Sequence, residues 1–426
     1  MSRSVSESGL ADTTEEPLLR VENLSKYFES ESGVVTEIKN RVTGAKPAPV
    51  RAVDDVSFRI AEGETFGLVG ESGCGKSTLA RTVLQLLRPT NGDVYFKGDN
   101  LAEMEKDALR RLRRDMQIVF QDPQSSLNPR MKVGQIIEEP MEAHGLLDAD
   151  GREEKTREIL EKVGLSPDHY DRYPHEFSGG QRQRINLARA LSVDPDLIVC
   201  DEPTSALDVS VQAQVLNVME DLQDEFGLTY LFISHDLSVI RYLCDRVAVM
   251  YVGQIVEQAD KESLFESPQH PYTQALLGAI PVPDTRSGQV RDVIEGEVPS
   301  PTDPPSGCRF RTRCPEFIAP EGFDGDEAAW SATLAYHRSV KRRKLGIENP
   351  TAIESKFFEG VSLPREARAV VDESLQLITE DEWEEATEIL TEAFESPSVC
   401  ATEDPVRGAT TETDHFVGCH LPSAGQ

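Results

Sequence analysis

Residues 70–78 combine glycines, a lysine and a serine at the spacing of a phosphate-binding loop. They read GESGCGKST and fit the pattern G-x-x-x-x-G-K-[ST]. The glycines let backbone N–H groups turn inward around phosphate oxygens at a helix start, the lysine adds a positive charge, and the serine hydroxyl can hold magnesium. The candidate phosphate-binding residues are Gly70, Glu71, Ser72, Gly73, Cys74, Gly75, Lys76, Ser77 and Thr78.

Two carboxylates follow a short apolar run later in the chain. In LIVCDE, four apolar residues bring Asp201 and Glu202 to the end of a predicted strand, which is the usual ligand edge of an open parallel sheet. An apolar strand that ends in two acids is more often plain structure, but here it follows a phosphate-binding loop by about a domain's length. We therefore predict that Asp201 holds magnesium and that Glu202 is the general base for an attacking water.

A second candidate phosphate site lies in FSGGQRQRINLARAL. Ser178, Gly179 and Gly180 begin a predicted helix, so that free N–H groups and a hydroxyl face outward at its tip. The same residues also fit an ordinary N-cap with a Gly-Gly turn, and the residues alone leave both interpretations open.

The elements that carry these residues alternate between strands and helices. Strands are predicted at residues 18–28, on both sides of the AEGE turn after residue 50, and in DLIVCDEP and TYLFISHD. Helices are predicted after residue 76, within 150–192, and in VSVQAQVLNVMEDLQDEF. This alternation predicts an α/β fold with a largely parallel sheet covered on both faces.

The composition is strongly acidic. The chain has 44 Lys and Arg against 75 Asp and Glu, a formal net charge of -31. Such a charge disfavours binding to nucleic acid or to anionic membranes, and it suggests adaptation to a high-salt cytoplasm. The polar N-terminus predicts neither a signal nor a transit peptide, and no run of 18 apolar residues occurs. We therefore expect a cytoplasmic chain that reaches a membrane only through a partner.

Five motifs together resemble those of the ATP-binding subunits of ABC transporters. GESGCGKST, VFQDPQSSLNP, FSGGQRQR, LIVCDEPTSALD and FISHD occur in that family's order, and the resemblance covers roughly residues 18–283. It implies an ABC-type P-loop cassette with ATP and Mg²⁺ as ligands. It also implies a head-to-tail dimer, in which ATP lies between the Lys76 loop of one subunit and residues Ser178, Gly179, Gly180 and Gln181 of the other.

The resemblance assigns further roles to single residues. Phe28 would stack on adenine, with Tyr27 as the competing choice. Gln121 would contact magnesium and the water, and the segment after it would contact a membrane subunit. Asp208 would reach across the dimer interface, and His235 would contact the terminal phosphate. None of these positions departs from the pattern of hydrolysing members, so an active ATPase is expected.

The number of cassettes and the absence of predicted membrane helices indicate which kind of ABC protein to expect. A single cassette without fused membrane helices favours the separate ATPase of an importer over an exporter. Soluble ABC ATPases of translation or DNA repair are the rival class.

QDPQSSLNPRMKVGQIIEEP and SPQHPYTQALLGAIP resemble the dipeptide, oligopeptide and nickel importers. Peptide is the expected cargo, with nickel or oligosaccharide as alternatives. The implied partners are permease subunits, a second ATPase subunit, identical or not, and indirectly an extracytoplasmic binding protein.

Four of the seven cysteines lie near the C-terminus. Cys308 and Cys314 flank a short stretch in GCRFRTRCP, and Cys400 and Cys419 follow after an acidic insertion. Similar tails in the importer class carry four cysteines, in some members with an iron-sulfur cluster. Four thiolates suit a 4Fe-4S cluster or a structural Zn²⁺, and reduced thiols without a ligand are the alternative.

The predicted organisation has three parts. Residues 1–17 form a disordered tail. Residues 18–283 form the cassette, with an insertion at 29–49 and a helical subdomain at about 122–192. Residues 284–426 form a cysteine-containing C-terminal extension with an acidic insertion of weak helical patterning at about 321–395.

Overall fold

The structure is a computed structural model that describes residues 16–29, 48–279, 294, 296–345, 349–405 and 415–421. The predicted tail at 1–17 and the insertion at 29–49 lie almost entirely outside the described residues. So does the first part of the Pro/Gly-rich linker that begins at residue 281.

The larger sheet carries the candidate site at the ends of its central strands. Its strands are β3 (Thr65–Val69), β6 (Met116–Val119), β7 (Leu197–Asp201), β8 (Thr229–Ile233), β9 (Arg246–Tyr251), β10 (Gln254–Asp260) and β11 (Phe416–Val417). Within the described ranges they form the order β11-β10-β9-β3-β8-β7-β6. The five strands from β9 to β6 pair in parallel, and β10 and β11 are antiparallel additions at one edge.

The buried strands explain why the parallel sheet forms. Every residue of β3, β7 and β8 is buried, as expected for parallel strands that helices cover on both faces. The predicted α/β class is therefore confirmed.

A smaller antiparallel sheet packs against the first. It contains β1 (Leu19–Phe28), β2 (Val50–Ile60), β4 (Asn91–Phe96) and β5 (Asp99–Asn100), and in the described part of the chain their order is β2-β1-β4-β5. An apolar core that includes Phe66, Leu79 and Leu231 joins the two sheets and the helix after β3. This core fixes the loop between β3 and that helix relative to β2.

Helices follow the strands as the sequence predicts. They are α1 (Lys76–Val83), α2 (Lys106–Leu112), α3 (Pro123–Ser126), α4 (Val133–Ala143), α5 (Ala149–Lys162), α6 (Gly179–Leu191), α7 (Val209–Phe226), α8 (Leu237–Leu243), α9 (Lys261–Glu266) and α10 (Pro271–Gly278). Two short 3-10 helices, Pro167–Asp171 and Pro174–Glu176, precede α6. Helices α3 to α6 lie between β6 and β7 in the chain, where the helical subdomain is predicted.

The acidic C-terminal stretch is more ordered than its weak patterning indicates. It folds into α11 (Glu327–Lys341), α12 (Pro350–Phe358), α13 (Arg365–Thr379), α14 (Trp383–Leu390), a π-helix (Thr391–Glu395) and α15 (Val399–Thr402). These helices share an apolar core of their own around Tyr336, Val371 and Leu390. The pattern is hard to detect in the sequence because many acidic residues surround the apolar positions, such as Ala367, Val371 and Leu375 at four-residue spacing on α13. Across the described ranges, no helix combines the length and the apolar character needed to cross a membrane.

Candidate active site

The glycine loop lies between β3 and α1 and holds its lysine in place. Lys76 is buried, and its Nζ donates hydrogen bonds to the backbone oxygens of Gly70, at 2.8 Å, and of Glu71, at 3.0 Å. The loop therefore wraps around the ammonium group, and α1 begins directly behind it with its unpaired N–H groups facing the loop. A buried cation together with helix N–H groups forms an anion site that suits phosphates.

Strand β7 brings the first carboxylate to the same loop. The Ser77 hydroxyl donates a hydrogen bond of 2.8 Å to Oδ1 of Asp201, which is buried. Burial raises the pKa of Asp201 above its usual value, although the bond from Ser77 opposes this. A buried carboxylate beside a hydroxyl is the oxygen donor set that Mg²⁺ prefers, so Ser77 and Asp201 fit a magnesium ion.

Glu202 stands at the centre of a three-residue cluster. Gln121 Nε2 donates to its Oε2 at 2.9 Å, and His235 Nδ1 lies 3.0 Å from the same oxygen. Glu202 has a left-handed backbone with a φ of 49°, which is uncommon for a residue other than glycine. Its side chain is only 15% exposed, whereas that of His235 is 58% exposed. Both of these contacts use Oε2, and neither uses Oε1.

These groups face one cleft of about 510 Å³. The cleft is lined by Val50, Ala52, Ser72, Gly73, Gly75, Lys76, Ser77, Thr78, Gln121, Glu202, His235 and Pro301. The structure thus brings the phosphate loop together with the three candidate catalytic residues. Asp201 reaches the cleft through its hydrogen bond with Ser77.

The two aromatic candidates for adenine have different surroundings. The Tyr27 hydroxyl donates a hydrogen bond to Asp54 on β2. Phe28 pairs in register with Val50, which lines the cleft, and its ring is half-buried with the Lys26 ammonium 5.1 Å from the ring centroid. In the described part of the chain neither ring lines the cleft, and the choice of Phe28 over Tyr27 for adenine stacking stays a prediction.

The second predicted phosphate site lies away from this cleft. Ser178 caps α6, its Oγ accepting from the Gln181 N–H at 3.4 Å while Gln181 Oε1 accepts from the Ser178 N–H at 3.0 Å. Asp208 is exposed and begins α7 without a side-chain cap. In the part of the chain that the structure describes, neither the α6 tip nor Asp208 lines the cleft. One chain therefore assembles the Lys76 half of the predicted ATP site and leaves the Ser178 half on another surface.

The four C-terminal cysteines are free thiols in one neighbourhood. Cys308, Cys314 and Cys400 are buried, and the Cys308 N–H donates to the Cys400 backbone oxygen at 2.9 Å. Burial, together with the nearby Cys419 and Cys400 thiols, raises the pKa of Cys308 to about 12. However, the described residues contain no group of three or more His, Cys, Asp or Glu side chains placed to hold a metal ion. The predicted cluster geometry is therefore not present in this structure.

Several residues at the site carry no signal in the sequence. Pro301 lines the cleft but lies in the predicted C-terminal extension, and its backbone oxygen accepts from the Arg51 N–H at 2.8 Å. Arg313 contacts the glycine loop from 242 residues away. Tyr272 belongs to the SPQHPYT stretch, which resembles the importer class but does not by itself predict a contact with the loop.

Three family models match successive stretches of the chain. A family model described as "ABC transporter" matches residues 53–205, and one described as "Oligopeptide/dipeptide transporter, C-terminal region" matches 256–319. A third model, a domain of unknown function, matches 325–413. These three matches follow one another along the chain and together reach from β2 to beyond α15.

Two relatives with transport names share about half of their residues with this chain over about 70% of its length. The oligopeptide transport ATP-binding protein AppF of Bacillus subtilis is 52% identical over 304 residues, which cover 71% of this chain and 90% of that relative. The dipeptide transport ATP-binding protein DppF of Haemophilus influenzae is 51% identical over 70% of this chain and 88% of its own length.

Solved structures share the cassette. The ATP-binding cassette MJ0796, a dimer in a post-hydrolysis state with ADP and phosphate, matches with a TM-score of 0.50 and 27% identity. That match covers 57% of this chain and 98% of the other. The protein cbiO1 of Clostridium perfringens, part of an ABC transporter complex, has a TM-score of 0.50 and 26% identity over 59% of this chain and 92% of the other.

Proposed function

The chain belongs to the family of ABC transporter ATP-binding proteins, and from this premise we propose that it is the ATPase subunit of a peptide importer. As a family member it is an ATPase whose assembly includes membrane permeases and a second ATPase subunit. The observation that carries the proposal is the cleft in which the Lys76 loop faces Glu202, Gln121 and His235. The peptide cargo rests on the names of relatives that are about 52% identical and on the match at residues 256–319.

We propose that Glu202 accepts a proton from the water that attacks the terminal phosphate. Gln121 and His235 hold its Oε2, so that Oε1 is oriented toward the water. Lys76 and the N–H groups of the loop bind the phosphates and their developing charge. Ser77 and Asp201 would hold Mg²⁺, which would supply positive charge to the phosphates. His235 approaches from the exposed side, where a bound triphosphate would reach it.

We propose that a second subunit completes the site. The α6 tip at Ser178 is exposed and presents helix N–H groups, yet it lies away from the cleft of its own chain. Asp208 begins α7 close to this tip, because a Cβ added to Gly179 would lie 3.3 Å from Leu207, its neighbour in the chain, and one added to Gly180 would lie 2.2 Å from Val211. Two copies arranged head to tail would place each tip over the other's Lys76 loop.

The Glu202→Gln variant tests hydrolysis and dimerisation together. Because the amide cannot accept the proton, we expect turnover to fall by about 10²- to 10⁴-fold while ATP binding persists and a dimer accumulates. ATP hydrolysis, nucleotide binding and size-exclusion chromatography with ATP measure these three outcomes. Glu262→Gln, which changes an exposed carboxylate on α9, is the matched control and should behave as wild type. Near-normal turnover in Glu202→Gln would remove the base assignment.

We propose that the protein acts at the cytoplasmic face of a membrane through permeases, with an extracytoplasmic binding protein delivering cargo and no nucleic acid involved. The exposed stretch after Gln121, around Asp122 and Ser125, is the surface we assign to the permease. Reconstitution with the permeases in vesicles tests the cargo. Peptide-loaded binding protein should stimulate ATP hydrolysis, whereas stimulation by nickel or an oligosaccharide instead would reassign the cargo. Copurification with ribosomes or DNA would support the soluble rival class.

We propose the four C-terminal cysteines as ligands of a 4Fe-4S cluster or of Zn²⁺, which would have to draw their thiols together from the positions they have in this structure. Support comes from their proximity, since the Cys400 and Cys419 thiols both raise the pKa of Cys308 and of Cys314. A bound metal would supply the positive charge that buried thiolates need. Protein prepared without oxygen should contain iron or zinc, and Cys400→Ser should lose it. Protein with neither metal would instead establish these residues as reduced thiols.

We also propose that the charge of -31 reflects adaptation to a salt-rich cytoplasm. Screening at high ionic strength reduces repulsion among surface carboxylates. The midpoint of urea unfolding should therefore rise between dilute and multimolar KCl. A midpoint that does not change with salt would contradict this proposal.

A further inference from the structure

Three arginines alternate between the two cysteines of residues 308–314, which we call the arginine segment. It reads CRFRTRC, with Arg309, Arg311 and Arg313 at every second position. Arg309 and Arg313 are buried and bind residues of the cassette, whereas Arg311 binds Glu395 of the C-terminal helical unit. The segment therefore lies between the nucleotide cleft and the C-terminal helices.

Arg313 holds the glycine loop through both oxygens of one carboxylate. Its Nη1 lies 2.7 Å from Oε2 of Glu71 and its Nη2 lies 3.0 Å from Oε1. The guanidinium also donates to the Tyr251 hydroxyl at 3.2 Å. The Glu71 N–H in turn donates to the Tyr272 hydroxyl at 3.0 Å. Both the backbone and the side chain of Glu71 are thus fixed by residues outside the loop.

Glu71 also links Arg313 to Lys76, the lysine that is predicted to bind the phosphates. Lys76 Nζ donates to the backbone oxygen of Glu71 at 3.0 Å, so a displaced Glu71 would also displace a hydrogen-bond partner of the ammonium group. Arg313 is 5% exposed at its side chain and Glu71 is 25% exposed, so the pair is only partly screened by water. The paired, two-oxygen geometry is one that arginine provides and lysine does not.

We propose that Arg313 is a positioning residue for ATP binding, which clamps Glu71 and holds the glycine loop in its phosphate-binding conformation. A second effect acts in the same direction. Glu71 carries a negative charge within the loop that surrounds the phosphates, and Arg313 neutralises that charge. Without Arg313 the loop loses a support and the carboxylate repels the triphosphate.

Arg309 binds the cassette at strand β2. It binds Asp54 on β2, and Asp54 also accepts the hydrogen bond from Tyr27, the neighbour of Phe28. Burial pushes the pKa of Asp54 up, but the bond from Tyr27 and the charge of Arg309 outweigh it, so the pKa lies below its usual value. The carboxylate therefore stays charged and keeps both partners. The arginine segment thus contacts the cassette at two places, the glycine loop through Glu71 and strand β2 through Asp54.

The test compares variants of the full chain for ATP affinity and for turnover. If Arg313→Gln leaves about one molecule in ten with the loop correctly placed, the Kd and KM for ATP rise about tenfold. The kcat at saturating ATP should change little, because a positioning residue acts before the chemical step. Arg311→Gln is the matched control: it removes an arginine from the same segment but leaves the loop untouched, so its ATP affinity should equal that of wild type.

Two further variants separate support of the loop from neutralisation of the charge. Arg313→Lys retains the positive charge without the two-oxygen geometry, so it should recover only part of the affinity. Adding Glu71→Gln to Arg313→Gln removes the unpaired carboxylate, and affinity should again rise above that of Arg313→Gln alone. Because this comparison is between variants, a general loss of folding in one of them does not remove the test.

The proposal rests on the assignment of residues 70–78 as the ATP-binding loop, but different results would refute the proposal and that assignment. If wild type binds ATP and Arg313→Gln binds it equally well, the clamp is refuted and the ATPase function stands. An equal loss of affinity in Arg313→Gln and Arg311→Gln would also refute it, because the effect would then belong to the whole segment. A wild-type chain that does not bind ATP would instead refute the proposed function.

Discussion

Replacement of Gly75 by alanine tests whether the backbone path of the phosphate loop depends on strand β2. Gly75 has a φ of 113°, and a Cβ built there would lie 2.0 Å from the backbone oxygen of Ala52 on β2. Gly73, two residues earlier, has a φ of 81°, but a Cβ there meets nothing within 4 Å. The two alanine variants therefore share unfavourable backbone dihedrals and differ in whether the new methyl group collides with backbone.

The collision sets the expected difference between the two variants. A residue with a Cβ in a positive-φ conformation costs about 1 to 2 kcal/mol, and this cost applies to both positions. At Gly75 the carbonyl of Ala52 must also move by more than an ångström, and overpacking of this kind adds about 1 to 3 kcal/mol. We therefore expect the free energy of unfolding to fall by about 1 to 2 kcal/mol in Gly73→Ala and by about 2 to 5 kcal/mol in Gly75→Ala.

The assay is urea unfolding without nucleotide, followed by ATP titration of the folded variants. Gly75→Ala should also weaken ATP binding more than Gly73→Ala, because Ala52 lines the cleft and its movement alters the site. If the two variants lose equal stability, the close approach of β2 is not a constraint on the loop. A larger loss in Gly73→Ala would contradict the reasoning outright.

Two further predictions concern magnesium and pH. Ser77→Ala removes the hydroxyl that binds Asp201, so the Mg²⁺ concentration needed for half-maximal ATP hydrolysis should rise at least about tenfold; an unchanged requirement would exclude Ser77 as a ligand. Burial lowers the pKa of His337 to about 4, against about 6.5 in the unfolded chain, so unfolding takes up a proton and stability falls by roughly 2 kcal/mol from pH 7 to pH 5. The stability that neutral His337 provides is present above pH 6.5 and is lost as the pH falls toward 4. His337→Gln should therefore flatten the pH dependence of the unfolding free energy measured with urea, whereas a change at the exposed His175, His175→Gln, should not.

The parts of the site that the sequence predicts are those with a local cause. The loop at residues 70–78, the strand that carries Asp201 and the cap at Ser178 each depend on neighbours within a few positions. Their residue types therefore report their conformation. The strand before Gly70 and the helix after it follow from the same short-range patterns. This half of the site can be predicted from the sequence because its geometry depends on residues that are close together in the chain.

The helical unit at 327–395 has a different cause. Its core is assembled from several elements: Ala367, Val371 and Leu375 lie at four-residue spacing on α13, and Ile353 and Phe394 come from other elements. The many acidic residues around these apolar positions reduce the apparent periodicity in the sequence. Its order comes from tertiary packing between helices, which a pattern within one segment does not express.

The role of the arginine segment could not be predicted for a third reason. Its two cysteines suggest a metal site, and that interpretation directs attention to the sulfur atoms. In the structure the intervening arginines make the ion pairs that join the segment to its surroundings, with Arg313 bound to Glu71 and Arg311 bound to Glu395. Cysteine spacing can be read within a short segment. The ion pair of Arg313 with Glu71 joins residues 242 positions apart, and the sequence around either residue does not indicate it.

The same segment also determines how the C-terminal unit meets the cassette. The Arg338 guanidinium on α11 donates to the Cys314 backbone oxygen at 2.5 Å, and Lys341 on the same helix lies 2.8 Å from Glu395. The residue next to Cys314 is the arginine that holds the glycine loop. A change in α11 that shifts Cys314 would therefore act on Arg313 through one peptide unit, without any contact between α11 and the nucleotide. This makes Arg338→Ala informative: if ATP affinity falls in Arg338→Ala and falls no further when Arg313→Gln is added, the two residues act on the loop through the same contact.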